Sequence, residues 1–98
     1  MLVRFTRSGG FGGMRISGVV DTAMLSPVEA EKVNGFVKAA DFFSLPEKFP
    51  APQKGADYFS YVVAVEDGGR AHTVEVCEPS VPVSLKPLIH YLAGAVKK

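Results

Sequence analysis

Cysteine occurs once in the 98 residues, at Cys77. A single thiol excludes an intrachain disulfide framework and a multi-cysteine metal site, and it fits a reducing compartment. Excess charge is equally scarce. Eleven Lys and Arg stand against ten Asp and Glu, a formal net charge of +1. A chain so near neutrality has no general electrostatic reason to bind nucleic acid or an anionic membrane. No stretch approaches the ~20 apolar residues that a membrane span requires. The N-terminus enters an alternating pattern directly, without the basic region, apolar run and cleavage site of an export signal. These absences predict a soluble, cytoplasmic, monomeric protein that binds neither nucleic acid nor membrane.

Catalytic groups are sparse too. The two histidines, His72 and His90, lack metal-ligand spacing. His72 falls in a strand pattern and His90 on the polar side of a helical one, which favours structural or solvated roles. Cys77 ends a strand on its predicted outer face, and no neighbouring cationic group is evident to lower its pKa. Asp21, Glu66, Asp67, Glu75 and Glu78 form no recognisable acid/base dyad. The expectation is a protein that is not an enzyme and holds neither metal nor cofactor.

What the chain does have is one domain, residues 1–98, with 47% hydrophobic content and a modest core. Its most unusual stretch is Ser8-Gly9-Gly10-Phe11-Gly12-Gly13, four glycines around one aromatic. On one side Val3 and Phe5 alternate with Arg4 and Thr6. On the other Ile16, Gly18 and Val20 alternate with Arg15, Ser17 and Asp21. Both follow the period of a half-buried strand. Pairing Phe5 with Ile16 and Val3 with Gly18 keeps the apolar sets on one face and leaves residues 8–13 as a long hairpin tip. Phe11 at that tip either folds back onto the domain or fills a pocket on another molecule. The glycine run is no phosphate loop, because a strand rather than a helix follows it and no Lys-Ser/Thr pair is present. Arg4, Arg7 and Arg15 share this hairpin. Without interleaved exposed aromatics they read as surface charges rather than a nucleic-acid site.

Ser26, Pro27 and Glu29 make a helix start with a capping box. Ala30, Val33, Phe36, Val37 and Ala40 then repeat at helical spacing, predicting a helix over 27–40. Between 41 and 56, Pro46, Pro50 and Pro52 exclude regular structure. Phe42, Phe43, Leu45 and Phe49 predict a short helical turn and an extended loop pinned to the core. Strands follow at 57–66 and 70–77, joined by the tight-turn signal Asp67-Gly68-Gly69. Leu85, Leu88, Ile89, Leu92 and Val96 predict a last helix over 84–96, capped by Ser84. With strands near 2–7 and 14–21, the plan is ββαββα. This is an α+β, two-layer domain, a four-stranded antiparallel sheet with two helices on one face. Val33, Phe36, Leu88 and Leu92 are expected among the least exposed residues.

Four stretches together resemble the emfourin family: Phe5 to Gly13, Ala39 to Pro46, Asp57 to Tyr61, and Val65 to Val74. The likeness runs through nearly the whole chain in order and spacing. Emfourins inhibit protealysin-like zinc metallopeptidases of the thermolysin family. The resemblance therefore implies a proteinaceous inhibitor without a cofactor of its own, whose partner is a thermolysin-like metallopeptidase. Such enzymes take an extended substrate and favour a large apolar side chain just after the scissile bond. Phe11 is of that kind, and the glycines around it suit a narrow cleft. Ser8, Gly9, Gly10, Phe11, Gly12 and Gly13 are accordingly the candidate target-binding residues. The alternative from another class is a non-inhibitory interaction module that offers a sheet edge to its partner.

Overall fold

The alternating first segment forms strand β1, Leu2–Gly9, in a computed structural model that describes residues 1–9, 14–49 and 58–96. Strands β2 (Met14–Asp21), β3 (Phe59–Asp67) and β4 (Arg70–Cys77) complete an antiparallel sheet in the order β2-β1-β3-β4. The first strand is thus interior and paired on both sides. Helix α1 (Pro27–Ala39) and helix α2 (Lys86–Val96) supply the second layer. The architecture is the expected α+β ββαββα domain.

One sheet face carries the core. Val3 and Phe5 of β1, Val20 of β2, Val63 and Val65 of β3, and Val74 and Val76 of β4 are all buried. They join Val33 and Val37 of α1 and Leu88, Ile89, Leu92 and Val96 of α2 in a single apolar cluster. Each such side chain contributes about 1.5–3 kcal/mol by leaving water. The opposite face holds Arg4, Ser17, Val19, Thr73 and Glu75 in solvent, as the period of two requires. Phe36 departs from expectation. It is only partly buried, because it lies at the margin of the helix pair, 5.8 Å from the ring of Tyr91.

The register of the first hairpin differs from the sequence-based pairing by two residues. Phe5 sits opposite Gly18 rather than Ile16, Val3 opposite Val20, and Arg7 opposite Ile16. A slip of two preserves which residues face inward, so the alternating pattern cannot detect it. Tertiary packing decides it. A Cβ on Gly18 would stand 2.7 Å from Cγ1 of Val96, so the last turn of α2 rests on bare backbone at this point. The consequence is a shorter connection: residues 10–13, with Ser8 and Gly9 inside the strand.

Element ends follow local chemistry. The Ser26 hydroxyl accepts from the Glu29 N–H at 3.2 Å, with Pro27 in the first turn. The expected capping box is only half made. The Glu29 carboxylate instead accepts from the Tyr91 hydroxyl at 2.8 Å and pairs with Lys32. Asp41, in left-handed conformation at φ 51°, ends α1. Gly68 and Gly69, both with positive φ, make the two-residue turn between β3 and β4. Ser84 does not cap α2. It lies within a 3₁₀ turn, Val83–Leu85, that runs straight into the helix, and the Pro82 carbonyl accepts from Leu85 and Lys86.

The segment after α1 is pinned as expected. A 3₁₀ turn at Phe42–Ser44 buries Phe42 in the core. His72 Nε2 lies 2.6 Å from the Leu45 carbonyl oxygen, and its ring packs edge-on against Phe42. Glu75 then exchanges backbone hydrogen bonds with this segment, donating to Glu47 at 2.8 Å and accepting from Phe49 at 3.0 Å. That bridge covers part of the outer edge of β4.

Two predictions follow from the core and the helix pair. Gly18→Ala should destabilise the domain by about 1–3 kcal/mol through overpacking. The companion change Val96→Ala should recover part of the loss, as paired thermal melts would show. The Tyr91–Glu29 bond also gives a signed pH dependence. The bond holds the Glu29 carboxyl below its ordinary range and the Tyr91 phenol above its own, with the Lys32 charge adding to the first effect and partial burial to the second. Stability from the depressed carboxyl is present above its unfolded pKa and lost as pH falls through the folded one. Stability from the raised phenol is present below its unfolded pKa and lost as pH rises through the folded one. Tyr91→Phe should therefore lower stability at neutral pH, and denaturant titrations of the two proteins should converge in acid and in strong base.

Candidate functional site

Ser8 and Gly9, the first two residues of the candidate loop, are held on both sides. Ser8 pairs with Arg15 and Ser60, and Gly9 pairs with Met14 and Phe59. Gly9 has φ +94°, and a Cβ there would lie 2.8 Å from the Tyr58 carbonyl oxygen. Glycine is needed at this position on both counts. Gly10, Phe11, Gly12 and Gly13 lie outside the described residues. The sheet thus delivers the two ends of a four-residue tip from paired neighbours, Gly9 held by β2 and β3 and Met14 by β1 alone.

The surroundings of the tip's base were not legible in the sequence. Arg7 belongs to the inner face of β1, and its guanidinium lies 4.6 Å from the centre of the Phe59 ring. Between β1 and α2 a shallow groove of about 370 Å³ opens, lined by Arg7, Tyr61, Glu78, Lys86 and His90 among others. The Tyr61 phenol is pushed up, mainly by burial and further by the Glu78 carboxylate, against the opposing pull of Arg7. Tyr58, at the start of β3, and Val83, before α2, are exposed apolar residues. The signal that could have found this groove is the stripe Lys86, His90 and Ala93 on α2, which breaks the apolar pattern on one side of the helix.

A larger hollow, about 540 Å³, lies at the other end of the sheet, by the β3–β4 turn, and is lined by Met1, Lys38, Asp41, Asp67 and Arg70 among others. Arg70 there stacks on Phe43 at 4.0 Å and pairs with Asp67 at 3.8 Å, so its charge is already engaged. This hollow is remote from the tip. Cys77 sits on the outer face as expected, its Sγ 3.6 Å from the Ser60 hydroxyl. His72 is the clamp on Leu45, and His90 is exposed on α2. Among the described residues, no three His, Cys, Asp or Glu gather in a way that could hold a metal ion. No helix among them is long and apolar enough to cross a membrane.

The two sheet edges differ. β4 is partly covered by Glu47–Phe49, whereas β2 pairs only with β1 among the described residues. Among the described residues the edge of β2 is the more open of the two.

Comparison with known families gives one result: the Emfourin family model matches residues 5–93. No curated protein and no solved structure matches the chain.

Gly9→Val tests the base of the tip. It should cost about 1–3 kcal/mol from backbone strain alone, with a further loss from the clash at Tyr58. Amide exchange should quicken first in Ser8 and Phe59, beside the substituted residue, before the core strands respond.

Proposed function

The chain belongs to the emfourin family, whose inhibitory role against metallopeptidases fits it in general terms, and we propose that it inhibits a thermolysin- or protealysin-like zinc metallopeptidase by docking the stretch Ser8–Gly13, the end of β1 and the tip after it, in the active-site cleft. The observation that carries this reading is the pairing of β1 with β2 and β3 as far as Gly9. A loop whose ends are fixed by a sheet loses little entropy on docking. A substrate segment must adapt to the catalytic geometry to be cut, and ends held this way resist that adaptation. Phe11 then serves as the apolar anchor, and the glycines let backbone pass where a Cβ would collide. The domain brings no catalytic group of its own to the encounter; its contribution is shape and rigidity.

The test is Phe11→Ala, read as an inhibition constant beside a melting temperature. Truncating a central aromatic anchor commonly costs ~2–4 kcal/mol, roughly thirtyfold to a thousandfold in the constant. The melting temperature should stay within about 2 °C of the parent, since a target-facing side chain contributes little to the fold. If Phe11→Ala inhibits as well as the parent, the tip is not the inhibitory element and the exposed edge of β2 becomes the contact to examine. If it melts many degrees lower, Phe11 belongs to the domain's own packing.

A further inference from the structure

The chain's cations are unevenly spent. Arg4 is paired with Glu66 at 3.3 Å, Lys32 with Glu29 at 3.5 Å and Arg70 with Asp67 at 3.8 Å. Lys38, at the far hollow beside Asp41 and Asp67, and Lys48, whose bridge to Glu75 is a backbone one, form no ion pair among the described residues. Arg7, Arg15 and Lys86 make no ion pair among the described residues, and all three surround the base of the tip. Arg15 pairs with Ser8 on the outer face of the sheet. Arg7 and Lys86 line the groove on the inner face, beside His90. The carboxylate in that groove, Glu78, is turned toward the Phe59 N–H at 3.5 Å.

The acids gather elsewhere. Asp21 and Glu66 flank Leu2 in one cross-strand row, and Asp67 follows at the turn, all at the opposite end of the sheet. Those acids are largely balanced by Arg4, Lys38 and Arg70 at the same end, whereas around the tip Arg7, Arg15 and Lys86 face only Glu78, so the local excess of positive charge lies at the tip. Surface charges held this way do little for stability. They do create a field along the molecule, and such fields act on encounter rates.

We propose that Arg7, Arg15 and Lys86 form a cationic collar that steers the protein tip-first onto a peptidase whose cleft mouth is lined with carboxylates. The partner is thus defined by chemistry: an acidic rim around an extended-substrate cleft. The collar rests on the inhibitory reading above and adds a selectivity to it. Arg7 is pre-set for the task, since stacking on Phe59 fixes its guanidinium before the encounter. Arg15 and Lys86 are exposed and supply the long-range part.

The experiment is association kinetics with purified protealysin, for the parent, Phe11→Ala and the double variant Arg15→Glu/Lys86→Glu. Both substituted positions of the double variant are exposed and unpaired, and a melting curve checks that its fold is kept. Steering of this kind is worth roughly tenfold to a thousandfold in rate at low salt. The double variant should associate at least about tenfold more slowly at low ionic strength. The gap to the parent should close toward about 1 M salt, where the Debye length falls to about 3 Å. Dissociation should change little. Phe11→Ala should behave in reverse, dissociating faster while keeping the parent's salt dependence. If the double variant associates as fast as the parent at low salt while Phe11→Ala is weakened, the collar is wrong and the tip reading stands. If the neutral double variant Arg15→Gln/Lys86→Gln loses nothing while the charge-reversed one does, repulsion was introduced rather than steering removed, and the collar is again overturned. A parent chain that leaves protealysin fully active overturns the inhibitory reading and the collar with it.

Discussion

Everything in this domain hangs on the place of β1 between two antiparallel neighbours. Its inward side chains, Val3 and Phe5, are among the most deeply buried, and its backbone is paired on both edges from Leu2 to Gly9. Such a strand cannot move without breaking two ladders. The point at which the chain leaves β1, Gly9, is therefore fixed. A hairpin of the same sequence at a sheet edge would hold its tip through β2 alone, and isolated two-stranded ribbons are marginal in water.

The packing of α2 depends on that placement. The helix crosses the sheet with its N-terminal turn near the groove at the tip end and its last buried residue, Val96, over Gly18. Opposite Gly18 stands Phe5, so the largest side chain of β1 meets the smallest residue of β2. Bulk and gap are matched across the strands, and the helix fills what remains. On the far side, the His72–Leu45 contact and the bridge to Glu75 fasten the crossing segment to β4. That fastening also shields a stretch of edge that could otherwise pair with another chain.

The molecule is thereby given two unlike ends. At the β3–β4 turn, acidic residues are met by Arg4 and Arg70 within the same surface. At the tip end, Arg7, Arg15 and Lys86 outnumber the one carboxylate, Glu78, and make no ion pair among the described residues; apolar Tyr58 and Val83 stay in water, and a groove opens beneath the hairpin. A binding function uses such asymmetry well. The stable end needs only its own contacts, while the other keeps unspent charge and apolar surface for a partner. The emfourin assignment fits this layout, since the family implies protein partners of the metallopeptidase type.

The amino-acid sequence by itself determined the order and type of the four strands and two α-helices, because period two and period 3.6 are written into where Val, Phe, Leu and Ile recur. It also determined the Gly68–Gly69 turn and the Ser26 cap, which depend only on neighbouring residues. The tertiary structure decided what depends on distant ones. The pairing of Phe5 with Gly18 was invisible to alternation, since a two-residue slip keeps every face and the Val96 that packs on Gly18 lies 78 positions further along the chain. Glu29 left its capping box for Tyr91 because the second helix brought a hydroxyl within reach. The groove arose likewise, because Arg7, Tyr61, Glu78 and Lys86 lie on separate segments that converge only when α2 lands on the sheet. Local physics wrote the elements; their mutual packing, which no window of sequence contains, placed the residues around the tip.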